Sequence, residues 1–415
     1  MKIDLQLFRE ILSFDSTSGS EEALAGFLEG RLPEWFAAPD CPAAADVPAS
    51  PENVPGVPKA CQESPGYSAS APLQGTPAIS PKLQSWPVPE GGRNLLFSWG
   101  TPRVVFCTHL DTVPPYIPPT FFPSTEAHLI RDFGEGMSVE IFGRGACDAK
   151  GQMISMLAAC KELSAEGFDG FALLLVSGEE TGSWGAKAFS KTGFKAPYLI
   201  VGEPTDNKMV SASKGTKAFE LTFHGEAFHS GYPQWGRSAV DIFVDFVSAL
   251  RKVDFGEDPL LGATTWNIGR LVSDNPQNVL SPELRCRLYF RTTFLSDGRV
   301  EQELRNLAAG CAELSAERSC EGRAHGGSGA DSCRLPVVIS SIGGDSPSRY
   351  LTLPLFDSAP VSFGSDAPHL SGFEHKVICG PGSIRFAHRD DEHITLSELE
   401  KAAEQYVAMF KTLNA

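Results

Sequence analysis

Apolar residues along this chain recur with two different periods, and the changes between them divide the sequence into segments. From Ile3 to Arg31 they follow helical spacing behind an acid-rich start, which predicts a helical segment packed on a sheet. The spacing then stops: residues 37–92 are dense in Pro, Ala and Ser, the composition of a surface loop or partly ordered excursion. Beyond it, apolar runs predict strands at Asn94–Trp99, Arg103–Thr108, Phe171–Ser177 and Tyr198–Gly202. Helices are predicted between them at Gly151–Glu166 and Gly185–Thr192. Such alternation indicates an α/β sheet with helices on both faces, in which ligands collect at the carboxyl ends of the strands.

After Glu203 the order changes. Strand-like Ser213–His224, helical Arg237–Val253, strands Thr264–Val272 and Leu284–Thr293, helical Arg299–Glu317 and strand Pro336–Ser341 spell a βαββαβ unit. This is expected to be a smaller domain inserted into the first, with a mobile Gly-, Ser- and Cys-rich loop at Ser319–Cys333. The chain is expected to return to the first domain from Ser346 and to end in a helix over Leu396–Leu413. The resulting plan is 1–207 with the 37–92 insertion, then 208–342, then 343–415; a chain of 415 residues is long enough for two cores.

With 42% hydrophobic and 21% charged residues, the composition is that of a globular protein, and no apolar run approaches the roughly 20 residues that span a bilayer. The start, Met1-Lys2-Ile3-Asp4-Leu5, lacks the basic and apolar regions of a secretory signal, so a cytoplasmic location is expected. A formal charge of -16 argues against nucleic acid, which needs a basic face, and suits a cationic small substrate. The ten cysteines lack the paired spacing of zinc ribbons, and Cys107 and Cys379 lie in apolar runs, as expected of reduced core thiols.

Groups able to carry chemistry follow the apolar strands. Val104–Thr108 runs into His109-Leu110-Asp111, and residues two apart on a strand share a face, so both side chains can enter one pocket. A metal-bound imidazole hands its other N–H to an acceptor, a task that suits a nearby carboxylate; alone, the motif also fits a structural histidine. Gly143-Arg144-Gly145-Ala146-Cys147-Asp148 delivers a carboxylate just before a helix, where it either bridges two cations or caps the helix. Gly178-Glu179-Glu180-Thr181-Gly182 places paired carboxylates at a strand end. If buried they repel unless cations neutralise them, with one on a metal and the other handling the proton of an attacking water; if exposed they form an acidic turn. Glu203 ends a further apolar strand, and His388 lies beyond the run that starts at Cys379. Their joint order makes a metal site the better account.

These motifs resemble those of the dizinc hydrolase family of acetylornithine deacetylase, succinyl-diaminopimelate desuccinylase, aminoacylase and carboxypeptidase G, over the whole chain outside the Pro-rich stretch. The resemblance implies a zinc-peptidase-like α/β catalytic domain, a mixed sheet with helices on both faces, carrying an inserted ferredoxin-like lid and dimerisation domain. It implies that Asp148 bridges two zinc ions, replaceable by cobalt or manganese, with His109 and Glu203 completing one site and Glu180 and His388 the other. Glu179 would be the general acid/base and Asp111 the brace of His109. His229, in Phe228-His229-Ser230-Gly231, resembles a histidine that reaches into the neighbouring subunit and steadies the oxyanion, which implies a homodimer. Asn278 and Arg291 resemble the substrate clamp, since a guanidinium fork suits a carboxylate; Arg291 also fits a strand-edge charge.

Ser362–Leu370, Gly380–Ser383 and Ala387–Glu392 are most similar to the acetylornithine deacetylase branch. This implies release of acetyl from an N-acyl amino acid such as N-acetylornithine, a step of arginine synthesis. Desuccinylase, dipeptidase and carboxypeptidase are alternatives on the same site, and a non-catalytic binding protein keeping the fold is an alternative of another class. The chain departs from the family pattern in its 37–92 insertion, in a Ser341–Val361 link too short for the usual helix, and in His393, which replaces a commoner tyrosine. His393 either competes for a metal or caps a helix.

Overall fold

The computed structural model describes residues 1–37, 80–122, 139–322 and 335–415, so most of the 37–92 stretch and most of the Ser319–Cys333 loop lie outside the described residues. The protein divides into two compact units, Met1–Asn207 with Pro381–Ala415, and Lys208–Gly380.

In the first unit the strands run, side by side, Lys82–Pro87, Arg93–Trp99, Phe171–Val176, Val104–His109 and Ala196–Val201. Val104–His109 is parallel to both its neighbours, while Arg93–Trp99 is antiparallel to Phe171–Val176, so the sheet is mixed. Every residue of Val104–His109 and Phe171–Val176 is buried, the pattern of central strands covered on both faces. Helices Lys150–Ala165 and Leu396–Asn414 pack on each other and on Val104–His109, with Tyr406 meeting Phe106 edge to face. A capping box, in which Thr395 and Glu398 satisfy each other's backbone N–H groups, starts the last helix.

Two expectations for this unit change. The segment Ile3–Arg31 is not one helix: Leu5–Leu12 and Glu22–Ala37 are separated by a polar link. There Ser16 Oγ donates to the Leu110 carbonyl at 2.8 Å and Thr17 bridges Thr112, so long-range partners replace helical hydrogen bonds. The 37–92 stretch is not loop throughout, because Lys82–Pro87 pairs antiparallel with Arg93–Trp99 as an edge strand. The glycines at 91 and 92, with φ of 126° and 70°, turn the chain between them, and Trp86 finds Phe189 to pack against.

The second unit holds an antiparallel sheet in the order Thr265–Val272, Glu283–Thr292, Gly215–His224, Val337–Gly343, with helices Ala239–Leu250 and Val300–Gly322 packed on it. This is the βαββαβ arrangement of a ferredoxin-like fold. Leu284, Cys286, Leu288 and Phe290 alternate inward along one strand and meet Phe219, Phe223 and Phe246 in one core. Ser348–Arg349 and Ser358–Val361 flank Met209–Ser213 in a further sheet. Residues 343–380 group with this unit, and Pro381–Ala415 with the first. The described residues between Gly343 and Ser358 contain no helix.

Cys107, Cys147, Cys160, Cys286, Cys311 and Cys379 are buried. No helix among the described residues is long and apolar enough to cross a membrane.

Candidate metal centre

His109 closes the buried central strand, and its Nδ1 lies 2.9 Å from the Asp111 carbonyl oxygen. A carbonyl only accepts, so Nδ1 carries a proton, and Nε2 faces Asp148 Oδ1, 3.2 Å away. A ring nitrogen and a carboxylate oxygen facing each other in a buried place share a positive charge, either a proton or a metal cation. The other oxygen of Asp148, Oδ2, lies 3.3 Å from His388 Nε2, which also stands 3.0 Å from Glu180 Oε1. Asp148 therefore presents one oxygen to each imidazole. It does not cap the following helix: the N-cap is Ala149, without a side-chain bond.

The electrostatics register the same demand. Burial opposes charge on His109, but hydrogen bonds and charge from Asp111 and Asp148 outweigh it and raise its pKa well above the ordinary value. His388 is raised to about 10 by its hydrogen bonds to Asp148 and Glu180. Burial would raise Asp148, yet the two imidazoles hold its carboxyl well below the usual carboxylate range. Protons here stand where cations would serve equally.

Three groupings of side chains offer ligand atoms within 4.8 Å of one another: His109, Asp148 and Glu203; Asp148, Glu180 and His388; and His109, Glu179 and Glu180. At metal–ligand distances of about 2.0–2.1 Å, tetrahedral ligand atoms lie roughly 3.3 Å apart, which the observed 3.0–3.3 Å separations match. The donor set of imidazole nitrogens and carboxylate oxygens suits zinc, and cobalt or manganese as well. The residues present thus fit a pair of divalent cations.

The supports of these side chains are long-range. Asp111 touches His109 mainly through its backbone carbonyl, with its Oδ1 at 3.5 Å from Nδ1. Its carboxylate accepts the N–H groups of Glu179 at 2.9 Å and Glu180 at 3.1 Å and the Ser18 hydroxyl at 2.8 Å, so it fixes the turn carrying the paired glutamates. His388 adopts a φ of 65°, a left-handed conformation that a non-glycine residue keeps only where its surroundings impose it. Sequence reasoning misses Ser18, Arg144 and Glu392 as supports. Glu392 ends a run of charges, Arg389-Asp390-Asp391, yet it is buried. His393 is not in any of the three groupings; its ring packs against Phe142 and Phe386 and its Nδ1 binds the Asp391 carbonyl.

The remaining candidate residues belong to the second unit. His229 sits in an exposed loop that bridges Val279, and the N–H of Ser230 donates to the Asn278 carbonyl at 2.9 Å, so the His229 and Asn278 loops are neighbours. Arg291 lies on a strand with its guanidinium over the Tyr289 ring, 5.1 Å from the centroid.

Residues 105–331 match the profile of Peptidase family M20/M25/M40. A probable carboxypeptidase of Aspergillus fumigatus is 34% identical over 331 residues, which cover 74% of this chain and 69% of that protein. Among solved structures, a tripeptidase from Staphylococcus aureus superposes with a TM-score of 0.69 at 16% identity, over 100% of this chain and 99% of that one. A dinuclear metal-binding peptidase of the M20 family from Bacillus subtilis superposes with a TM-score of 0.59 at 10% identity, over 98% of each chain.

The Asp111 contacts generate a stability prediction. Asp111→Asn keeps the volume but turns its NH2 toward the N–H of either Glu179 or Glu180, a loss of about 1–3 kcal/mol. Urea denaturation should show it; an unchanged midpoint would mean that these bonds do not hold the turn.

Proposed function

The chain belongs to peptidase family M20/M25/M40, and on that premise we propose that its centre holds two divalent cations, zinc foremost, and cleaves an amide bond beside a free carboxylate. Membership makes it a metal-dependent hydrolase of amide bonds. The observation that carries the two-cation reading is the orientation of Asp148, one oxygen toward His109 and the other toward His388. In this reading Asp148, His109 and Glu203 would hold one cation, and Asp148, Glu180 and His388 the other.

When bound, the cations lower the pKa of a water toward ~7 and polarise the scissile carbonyl. Glu179, adjacent to the ligand Glu180 on a turn fixed by Asp111, takes the proton of the attacking water. It then delivers that proton to the leaving nitrogen. His229 of a second subunit donates to the oxyanion, and Asn278 and Arg291 hold the substrate carboxylate. A homodimer through the second unit accords with the exposed Val240 and Val244 on helix Ala239–Leu250 and the exposed Leu271 and Val272 at the end of strand Thr265–Val272.

The probable-carboxypeptidase name of the Aspergillus fumigatus relative favours a peptide with a free C-terminus as substrate. The likeness of Ser362–Leu370 to the acetylornithine deacetylase branch supports a second reading, N-acetylornithine.

Glu179→Gln is expected to retain its cations and lose most turnover. Mixing it with an inactive His229→Ala chain is expected to restore activity, since a mixed dimer contains one site with both groups intact. Full activity of the first variant, or a mixture as inactive as its parents, would contradict these roles. A hydrolysis panel of di- and tripeptides, N-acetylornithine, other N-acetyl amino acids and N-succinyl-diaminopimelate, with zinc or cobalt supplied, separates the substrate readings. Peptide cleavage is expected, and turnover confined to N-acetylornithine would transfer the assignment to the deacetylase.

A further inference from the structure

Glu392 lies outside the proposed ligand set, yet its buried carboxylate is fully engaged. Its Oε1 accepts the N–H groups of Gly145, Cys147 and Asp148, each at 3.0 Å, and its Oε2 accepts Arg144 Nη1 at 2.6 Å. The Glu392 carbonyl also accepts the N–H of Gly143 at 3.0 Å. Arg144 in turn donates from Nη1 to the Arg389 carbonyl and from Nε to the Pro115 carbonyl, both at 3.1 Å.

Two stretches are fastened together by these bonds: the turn that ends in Asp148, and the segment that begins with His388. They are 240 residues apart in the chain, and their ligand atoms lie 3.3 Å apart. A buried ion pair is a poor device for stability alone, because desolvation offsets much of its attraction. It is well suited to fixing position, since a carboxylate taking three converging N–H groups and a guanidinium has a single placement.

We propose that Glu392 is a positioning residue that sets the Asp148-to-His388 spacing, and thereby the affinity for the cation held by Asp148, Glu180 and His388. This rests on the two-cation reading. The cation at His109 and Glu203 depends on Glu392 less, because His109 is oriented by Asp111 and its own strand. Glu392→Gln keeps the shape but must turn its NH2 toward either Arg144 or the backbone donors. Arg144→Lys keeps a positive partner for Oε2 while losing the fork that also reaches Arg389 and Pro115.

The test is calorimetric titration of the metal-free chain with zinc, which counts cations and reads their affinities without an activity assay. In Glu392→Gln the affinity for one of the two cations is expected to fall about 10–100-fold, the usual effect of removing a partner behind the ligands. The other is expected to change little, and Arg144→Lys to fall between Glu392→Gln and the unaltered chain. Leu32→Ala, a core change in helix Glu22–Ala37, controls for lost stability and should leave both affinities in place. If the unaltered chain binds two cations and the variants bind both as tightly, or lose both equally, the proposal is overturned. Should Glu392→Gln fail to fold, unchanged affinities in Arg144→Lys overturn it alone. Fewer than two cations in the unaltered chain would instead overturn the two-cation reading beneath it.

Discussion

Asp148, Glu179, Glu180 and Glu203 bring four negative charges to one small region of the first unit, and two of them, Asp148 and Glu203, are buried. Like charges about 4 Å apart repel by about 4 kcal/mol at the effective dielectric of a protein. Nothing in an apolar core offsets that. The two imidazoles that face Asp148 take up part of it as bound protons, and the two proposed divalent cations would carry enough charge to offset all four carboxylates. The remainder of the unit can be understood as the means of holding this charge together.

That holding is done by strand ends and by a small number of long-range bonds. His109 and the Glu179–Glu180 turn follow two parallel strands whose register sets His109 beside Val176, so the sheet brings them together before any side chain is chosen. Asp111 then ties the turn to the His109 strand, and Ser18 ties the link between the first two helices to Asp111. Glu392 does the corresponding work on the opposite side, between the stretches of Asp148 and His388. Asp111 and Glu392 are both carboxylates receiving backbone N–H groups, so local backbone geometry and ligand position are coupled.

The legible parts of the sequence are those with local causes. The apolar runs of the central strands and the alternation of the βαββαβ unit marked the elements to within a few residues, because burial on one or two faces leaves a period. His109, Asp148, Glu180, Glu203 and His388 could be picked out because each follows a strand or glycine turn, and their convergence in space follows from the sheet. Glu392 and Ser18 were not legible as supports: their partners lie 244 and 93 residues away, and a charged run or a Ser-rich link looks solvated when read alone. The break after Leu12 was hidden for the same reason, since the bonds that replace the helix reach Leu110 and Thr112. Substrate choice depends on pocket shape, which no period or spacing encodes.

The most direct measurement is anomalous diffraction at the zinc edge from crystals of the zinc-loaded chain. The account predicts two peaks about 3.5–4 Å apart, the usual separation in two-metal sites, with the Asp148 carboxylate between them. One of the peaks should lie against His109 and Glu203, and its companion against Glu180 and His388. A single peak, or zinc bound away from Asp148, would contradict it.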